Sequence, residues 1–199
     1  MTVAAADVLR PAMWSRTVSR HWQGLDLQMI ALSVSAAAGL EGQVLPYTRV
    51  DGRPAFPLVL IDEDAAAERL RRSQGPILDR TQLRDYAAAG FVDAPAQAVA
   101  LSGFVTVEPF PAARRHLAGL RTWAPTIAAM PSWRPLDAVA AAECDYYGYR
   151  VYLSDGSRAE PLQMPPRPHR LATPGRGAWG RLRDEQMFHL AIEAGLLPC

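Results

Sequence analysis

Two Asp-Gly pairs, Asp51-Gly52 and Asp155-Gly156, each lie between runs of β-forming residues. Such a pair is the strongest short-range hairpin signal, because glycine accepts the positive φ of a tight turn. One hairpin is therefore predicted over Val44–Asp62 and a second over Asp145–Met164, with a further strand at Ala98–Val107. Strands of this kind must bury one face against another layer, which limits the chain to a few architectures. Pro54 and Pro57 cannot donate ladder hydrogen bonds, which places the return strand of the first hairpin at an edge or delays its start. Gly103, in the middle of the Ala98–Val107 run, marks a bulge or a close backbone approach.

Helical signals fill most of the remainder. Residues Ala4–Ala38 carry an apolar stripe at helical spacing, with Pro11 in a first turn, where its missing N–H costs nothing. Ile30–Gly39 is open between a helix end and a strand. Asp62-Glu63-Asp64 starts a helix whose last turn carries Arg69, Arg71 and Arg72, matching the helix dipole at both ends. Asp79 caps another helix that Gly90 stops, Pro111–Trp123 reads as a helix opened by proline, and Leu182–Ala194 as one closed by Gly195. Ala124–Pro135, with three prolines, reads as an irregular linker, and Pro165–Gly180 as a connector. No regular βαβ alternation with phosphate-loop glycines is expected. The predicted fold class is α+β: a β-rich, split-barrel-like sheet with flanking helices and a C-terminal helix. It forms a single domain over residues 1–199, in which 137–199 can make a small subdomain.

The 199 residues are 49 % hydrophobic, enough for a sizeable core. A net charge of +1 argues against nucleic acid as a partner, and no apolar run reaches membrane-spanning length. The N-terminus lacks the basic and apolar regions of a signal peptide, so a cytoplasmic location is expected. Cys144 and Cys199 form no metal-binding or redox pattern. No nucleophile elbow, zinc-protease helix or phosphate loop occurs. The histidines His21, His116, His169 and His189 are scattered without an i, i+4 pair, and no metal centre is expected. His169, in the arginine-rich connector, is the one best placed to act as a single axial ligand to haem.

All 21 basic residues are arginine, so every cation presents a planar donor fork suited to phosphate or carboxylate. Arg69, Arg71 and Arg72, with Ser73 beside them, can grip a phosphate; the alternative is that they are solvated charges serving the helix dipole. Arg49 and Arg53, flanking the first turn, carry the same two readings. Tyr146, Tyr147, Tyr149 and Tyr152 alternate across a predicted strand, where they either stack on a ligand or simply pack a core.

Asp51-Gly52-Arg53-Pro54 at a hairpin, followed by a strand with Leu101-Ser102-Gly103 and a later ECDYYGYRVYLSDG segment, resembles the FMN-binding split-barrel superfamily. That superfamily includes pyridoxamine-phosphate-oxidase-like proteins and a haem-utilisation branch. The resemblance implies a homodimer that binds FMN, a deazaflavin or haem, and, if it is an enzyme, an oxidoreductase in which the cofactor carries the redox step. Arg71, Arg72 and Ser73 would then hold the cofactor phosphate and Arg49 would add a contact. A non-catalytic reading stands beside it: an accessory subunit, immunity-type protein or assembly factor without cofactor.

Overall fold

In the computed structural model of the protein, residue 9 and residues 11–162 and 177–197 are described. At the first Asp-Gly pair both central residues have positive φ, +50° at Asp51 and +74° at Gly52. This is the primed turn whose twist matches that of the flanking strands. It joins β2 (Thr48–Val50) to β3 (Arg53–Ile61), with Val50 opposite Arg53. A short β1 (Gln43–Val44) pairs with the far part of β3, opposite Leu58 and Val59. At the second pair, the Asp155 carboxylate accepts from the backbone N–H of Ser157 and Arg158 and closes the loop between β6 (Arg150–Ser154) and β7 (Ala159–Pro161).

The seven strands among the described residues form one mixed sheet in the order β1-β3-β4-β5-β6-β7, with β2 also on β3, where β4 is Val99–Thr106 and β5 is Thr126–Pro131. The sheet curls into a half-barrel flanked by helices and completed by a C-terminal helix, the α+β class expected. The helices are α1 (Arg16–His21), α2 (Leu27–Ala37), α3 (Glu63–Arg71), α4 (Arg80–Ala88), α5 (Phe110–Leu120), α6 (Ala138–Tyr147) and α7 (Ala178–Glu193). Ser15, Asp26, Asp62, Asp79 and Asp137 cap α1, α2, α3, α4 and α6, each side chain accepting from the first-turn backbone.

Several local expectations are corrected. Ala124–Pro135 is not a linker: its Thr126–Pro131 stretch is β5, buried at every residue and parallel to both neighbours. A strand covered on both faces shows no alternation, and its prolines sit at its borders, where they cost no ladder bonds. Two βαβ units follow, β4-α5-β5 and β5-α6-β6, where none was expected. Asp145–Tyr147 is not strand but the end of α6. The Asp137 cap, the alanine run behind it and Gly148 at φ +65° define a helix from start to stop. Tyr146 and Tyr147 therefore do not alternate on a strand with Tyr152. Pro11 is extended, bridging Thr48, rather than helical. β3 starts at once and lies inside the sheet, between β1/β2 and β4. Pro57 is tolerated there because it faces Leu45, in the gap between β1 and β2, and the Pro57 carbonyl still accepts from the Leu45 N–H. Of Ile30–Gly39, Ile30–Ala37 is helix within α2, and Ala38 and Gly39 end it. Gly103 meets both expectations: Ser102 bulges opposite the Leu58/Val59 step, and a Cβ at Gly103 would lie 3.2 Å from the Pro125 carbonyl oxygen.

Alternate residues of each strand serve opposite layers. On one face Val18, Trp22, Ile30 and Val34 of the α1–α2 region pack on Phe56, Val105, Ile127 and Tyr152. On the other, Met187 and Phe188 of α7 pack with Val59 and Phe104. Beside them, Ala113 and Leu117 of α5 and Cys144 of α6 pack with Ala128, Met130 and Val151.

α7 is buried on nearly every side, including Arg183, Glu185 and Gln186. Glu185 receives a two-pronged fork from Arg69, both contacts 2.8 Å, and also accepts from Arg181 Nε and the Ile77 backbone N–H. Arg69 is thus a core residue, 1 % exposed, rather than a solvated end of α3. Asp184 accepts from the Leu101 backbone N–H at 2.9 Å and from Gln97 at 2.8 Å. Burial nevertheless pushes its carboxyl up to about 6. Because this folded value lies above the unfolded one, the native state holds the proton more tightly, and stability falls as pH rises from about 4 to 6. The loss is on the order of 2–3 kcal/mol. Asp184→Asn is expected to melt higher than wild type at pH 7.5 and to match it near pH 4, measured by calorimetry across that range. Melting curves of the two proteins that run parallel from pH 4 to 7.5 would contradict this.

Candidate functional site at the carboxyl end of β4

Open parallel sheets present ligand sites where the strands end in carboxyl termini and the crossover helices begin. Here β4 runs into Glu108-Pro109 and α5, and β5 into the Ser132–Leu136 turn and α6. Between them lies an open cleft of about 560 Å³, whose lining includes His21, Phe110, Arg114, Arg134, Asp137 and Glu143. That volume falls within the range of small-molecule sites.

The two acids in the cleft are engaged. Glu143 takes Arg114 at 2.6 Å, and Asp137 caps α6 through the Ala140 N–H. Arg134 is exposed and has no carboxylate partner among the described residues. His21 is 8 % exposed, and its Nε2 is buried without a hydrogen-bond partner among the described residues. Burial, with Arg134 nearby, holds this imidazole below its ordinary range, so it is neutral at pH 7. Trp22, adjacent to His21, is fully buried. It donates Nε1–H to the Val107 carbonyl at 2.8 Å and meets Trp133 edge-on, tying α1 to the ends of both strands. α5 begins at Pro109 without a side-chain cap, so its dipole at the cleft is not offset by a local carboxylate cap.

On the other side of the Glu108-Pro109 segment the hairpin meets α5. Tyr47 donates its hydroxyl to Glu108 Oε1 at 2.7 Å. Burial and this carboxylate push the phenol well above its ordinary range. His116 of α5 is lowered first by burial and then by Arg115, Arg53 and Arg49, with Glu108 opposing them. Its Nδ1 is buried without a partner among the described residues.

The sequence-derived candidates separate. Arg71 and Arg72, 69 % and 63 % exposed at the side chain, both pair with Glu68 on the outer side of α3. Ser73 follows them, exposed, with φ +55°. Arg49 sits on β2 in the Tyr47–His116 neighbourhood. His169 and Cys199 lie outside the described residues, and Cys144 is buried against α5, its thiol pushed up to about 12 by burial. Among the described residues no group of three or more His, Cys, Asp or Glu is arranged to hold a metal ion, and no helix is long and apolar enough to cross a membrane. His21, Arg134 and Arg115 escape sequence reading. The signal that could have found them is Glu108-Pro109-Phe110-Pro111 directly after an apolar strand, a strand-to-helix turn of the kind that carries sites in parallel sheets. No family model matches the chain, and neither a curated protein nor a solved structure matches it.

Proposed function

We propose that the protein binds a phosphate- or carboxylate-bearing cofactor, FMN, a deazaflavin or haem, in the cleft between β4 and β5, and that it works as a homodimer. The observation that carries this reading is the cleft itself. It lies at the ends of two parallel strands, with Arg134 unpaired at its rim and neutral His21 in its wall. Arg134 would hold the acidic group, and the edge of Phe110 would pack on the rings. The cofactor would supply the redox chemistry, and the protein would hold and orient it. For haem, the uncharged imidazole of His21 is of the type that ligates iron. Arg71 and Arg72 could serve as the grip only by exchanging Glu68 for the ligand.

Absorbance and fluorescence titration with FMN, a deazaflavin and haemin tests the reading. One of them is expected to bind, and Arg134→Ala to weaken an acidic ligand about tenfold. Arg71→Ala with Arg72→Ala is expected to leave binding unchanged; the reverse pattern would move the site to α3. No spectral change and no thermal shift with any of the three would remove the cofactor reading.

A second reading, an interaction protein without cofactor, is favoured by α6. Val139, Tyr146 and Tyr147 are 72 %, 75 % and 50 % exposed, while Ala140 and Cys144 of the same helix pack inward. Large apolar side chains left exposed on one face of a helix whose other face packs inward belong in an interface more than on a wet surface. The homodimer would use this face, and sedimentation would show a mass near twice 21.7 kDa that Tyr146→Glu returns to the monomer.

A further inference from the structure

The hairpin and α5 bring together a second set of charges that the cleft does not use. Arg53 at the start of β3 lies over Gly119 of α5, so closely that a Cβ there would fall 2.1 Å from Arg53 Nε. Gly119 stands three residues after His116, on the same side of the helix. Arg115 of α5 and Arg49 of β2 act on the same imidazole. Against three guanidinium groups, Glu108 is the one carboxylate among the described residues that acts on the imidazole, and Tyr47 already engages it. Neither Arg49 nor Arg115 is paired with a carboxylate among the described residues. His116 Nδ1 is buried and without a partner, a state that folded proteins rarely leave uncompensated. A surplus of positive forks beside an orphaned nitrogen calls for an anion with several acceptor oxygens.

We infer that Arg49, Arg53, Arg115 and His116 form a binding site for a phosphate group, separate from the cleft at the ends of β4 and β5. The forks of Arg49 and Arg115 grip the phosphate oxygens. Arg53, held by Gly119 and by its bond to the Asp51 carbonyl, fixes the near wall. His116 gains a partner and, once a dianion lies beside it, takes up a proton. The charged groups facing His116 are Glu108 after β4, Arg49 on β2, Arg53 on β3 and Arg115 on α5. The added anion therefore raises the imidazole above its present, lowered value.

The site does not depend on the cofactor reading, and its test does not use one. Inorganic phosphate and glycerol phosphate are titrated into the full chain at low ionic strength. Calorimetry in two buffers of different ionisation heat follows proton uptake, and NMR follows the His116 ring. Binding with proton uptake and an upward-moved His116 titration is expected. Arg49→Ala and Arg115→Ala should each weaken it about tenfold or more. Arg134→Ala, in the cleft, should leave it unchanged. Equal affinity for the two probes assigns the free ion as ligand, and tighter glycerol phosphate a phosphorylated small molecule. An unmoved His116 titration, or wild-type affinity in both arginine variants, overturns the proposal.

Discussion

Glu185→Ala is expected to destabilise the fold by about 3–5 kcal/mol, the range for removing one partner of a buried ion pair. The alanine would leave Arg69, 1 % exposed, with a full charge and no carboxylate, and would orphan the Ile77 N–H. Arg181, 11 % exposed at its side chain, also loses its partner, although it keeps the Pro95 carbonyl. Arg69 would retain the carbonyls of Gln74, Gly75 and Ala96 and its stacking on Phe188. These contacts do not neutralise it. Glu185→Gln keeps an acceptor for Ile77 and is expected to cost less. The double variant Arg69→Met, Glu185→Leu removes both charges and should recover part of the loss, because burying ions is itself expensive, while the Ile77 N–H stays unmet. Urea denaturation midpoints at constant slope measure all three. An alanine variant within about 1 kcal/mol of wild type would show that water already reaches the pair, contrary to its burial.

The same pair shows why part of this fold could be read from the sequence and part could not. Turns and caps are local chemistry: Asp51-Gly52, Asp155-Gly156 and the aspartates before α3 and α4 act on neighbours within three residues, and each lies where the sequence places it. Arg69 looks like the solvated arginines beside it, since nothing within α3 distinguishes it from Arg71. Its partner stands 116 residues away on α7. β5 was hidden for a related reason. A strand between two parallel neighbours, with helices on both faces, loses the alternation by which strands are recognised. Missing β5 also concealed the candidate cleft, because the carboxyl end of β4 becomes a site only when a second parallel strand ends beside it. The end of α6, Asp145–Tyr147, reads as strand because tyrosines favour strands, and the alanine run before it, which decides for helix, carries no amphipathic signal. Arg49 stands out in the sequence, but its neighbours His116 and Arg115 come from α5, a long-range pairing no short window contains.

Trp22→Ala is expected to cost about 3–5 kcal/mol, the range for truncating a fully buried large aromatic. Its indole is enclosed among Val18, Ile30, Val107 and Ile127 and edge-on to Trp133, and collapse of α1 into the void is resisted by α2 on one side and the sheet on the other. Trp22→Phe separates packing from hydrogen bonding: it keeps most of the apolar volume but loses the 2.8 Å bond to the Val107 carbonyl. That variant should cost about 1–3 kcal/mol, the penalty of an unmet buried acceptor and a smaller ring. The loss should be uneven, because Val107 precedes Glu108 and so anchors both the cleft and the Tyr47–Glu108 contact. Hydrogen exchange is expected to quicken at Ala12, whose N–H bonds to the Tyr47 carbonyl, and at Ala112 in the first turn of α5. The Ile30 and Val34 amides of α2 should lose no more protection than the fall in global stability. Uniform loss of protection across α2 and α5 would instead make Trp22 a general core residue with no particular hold on the end of β4.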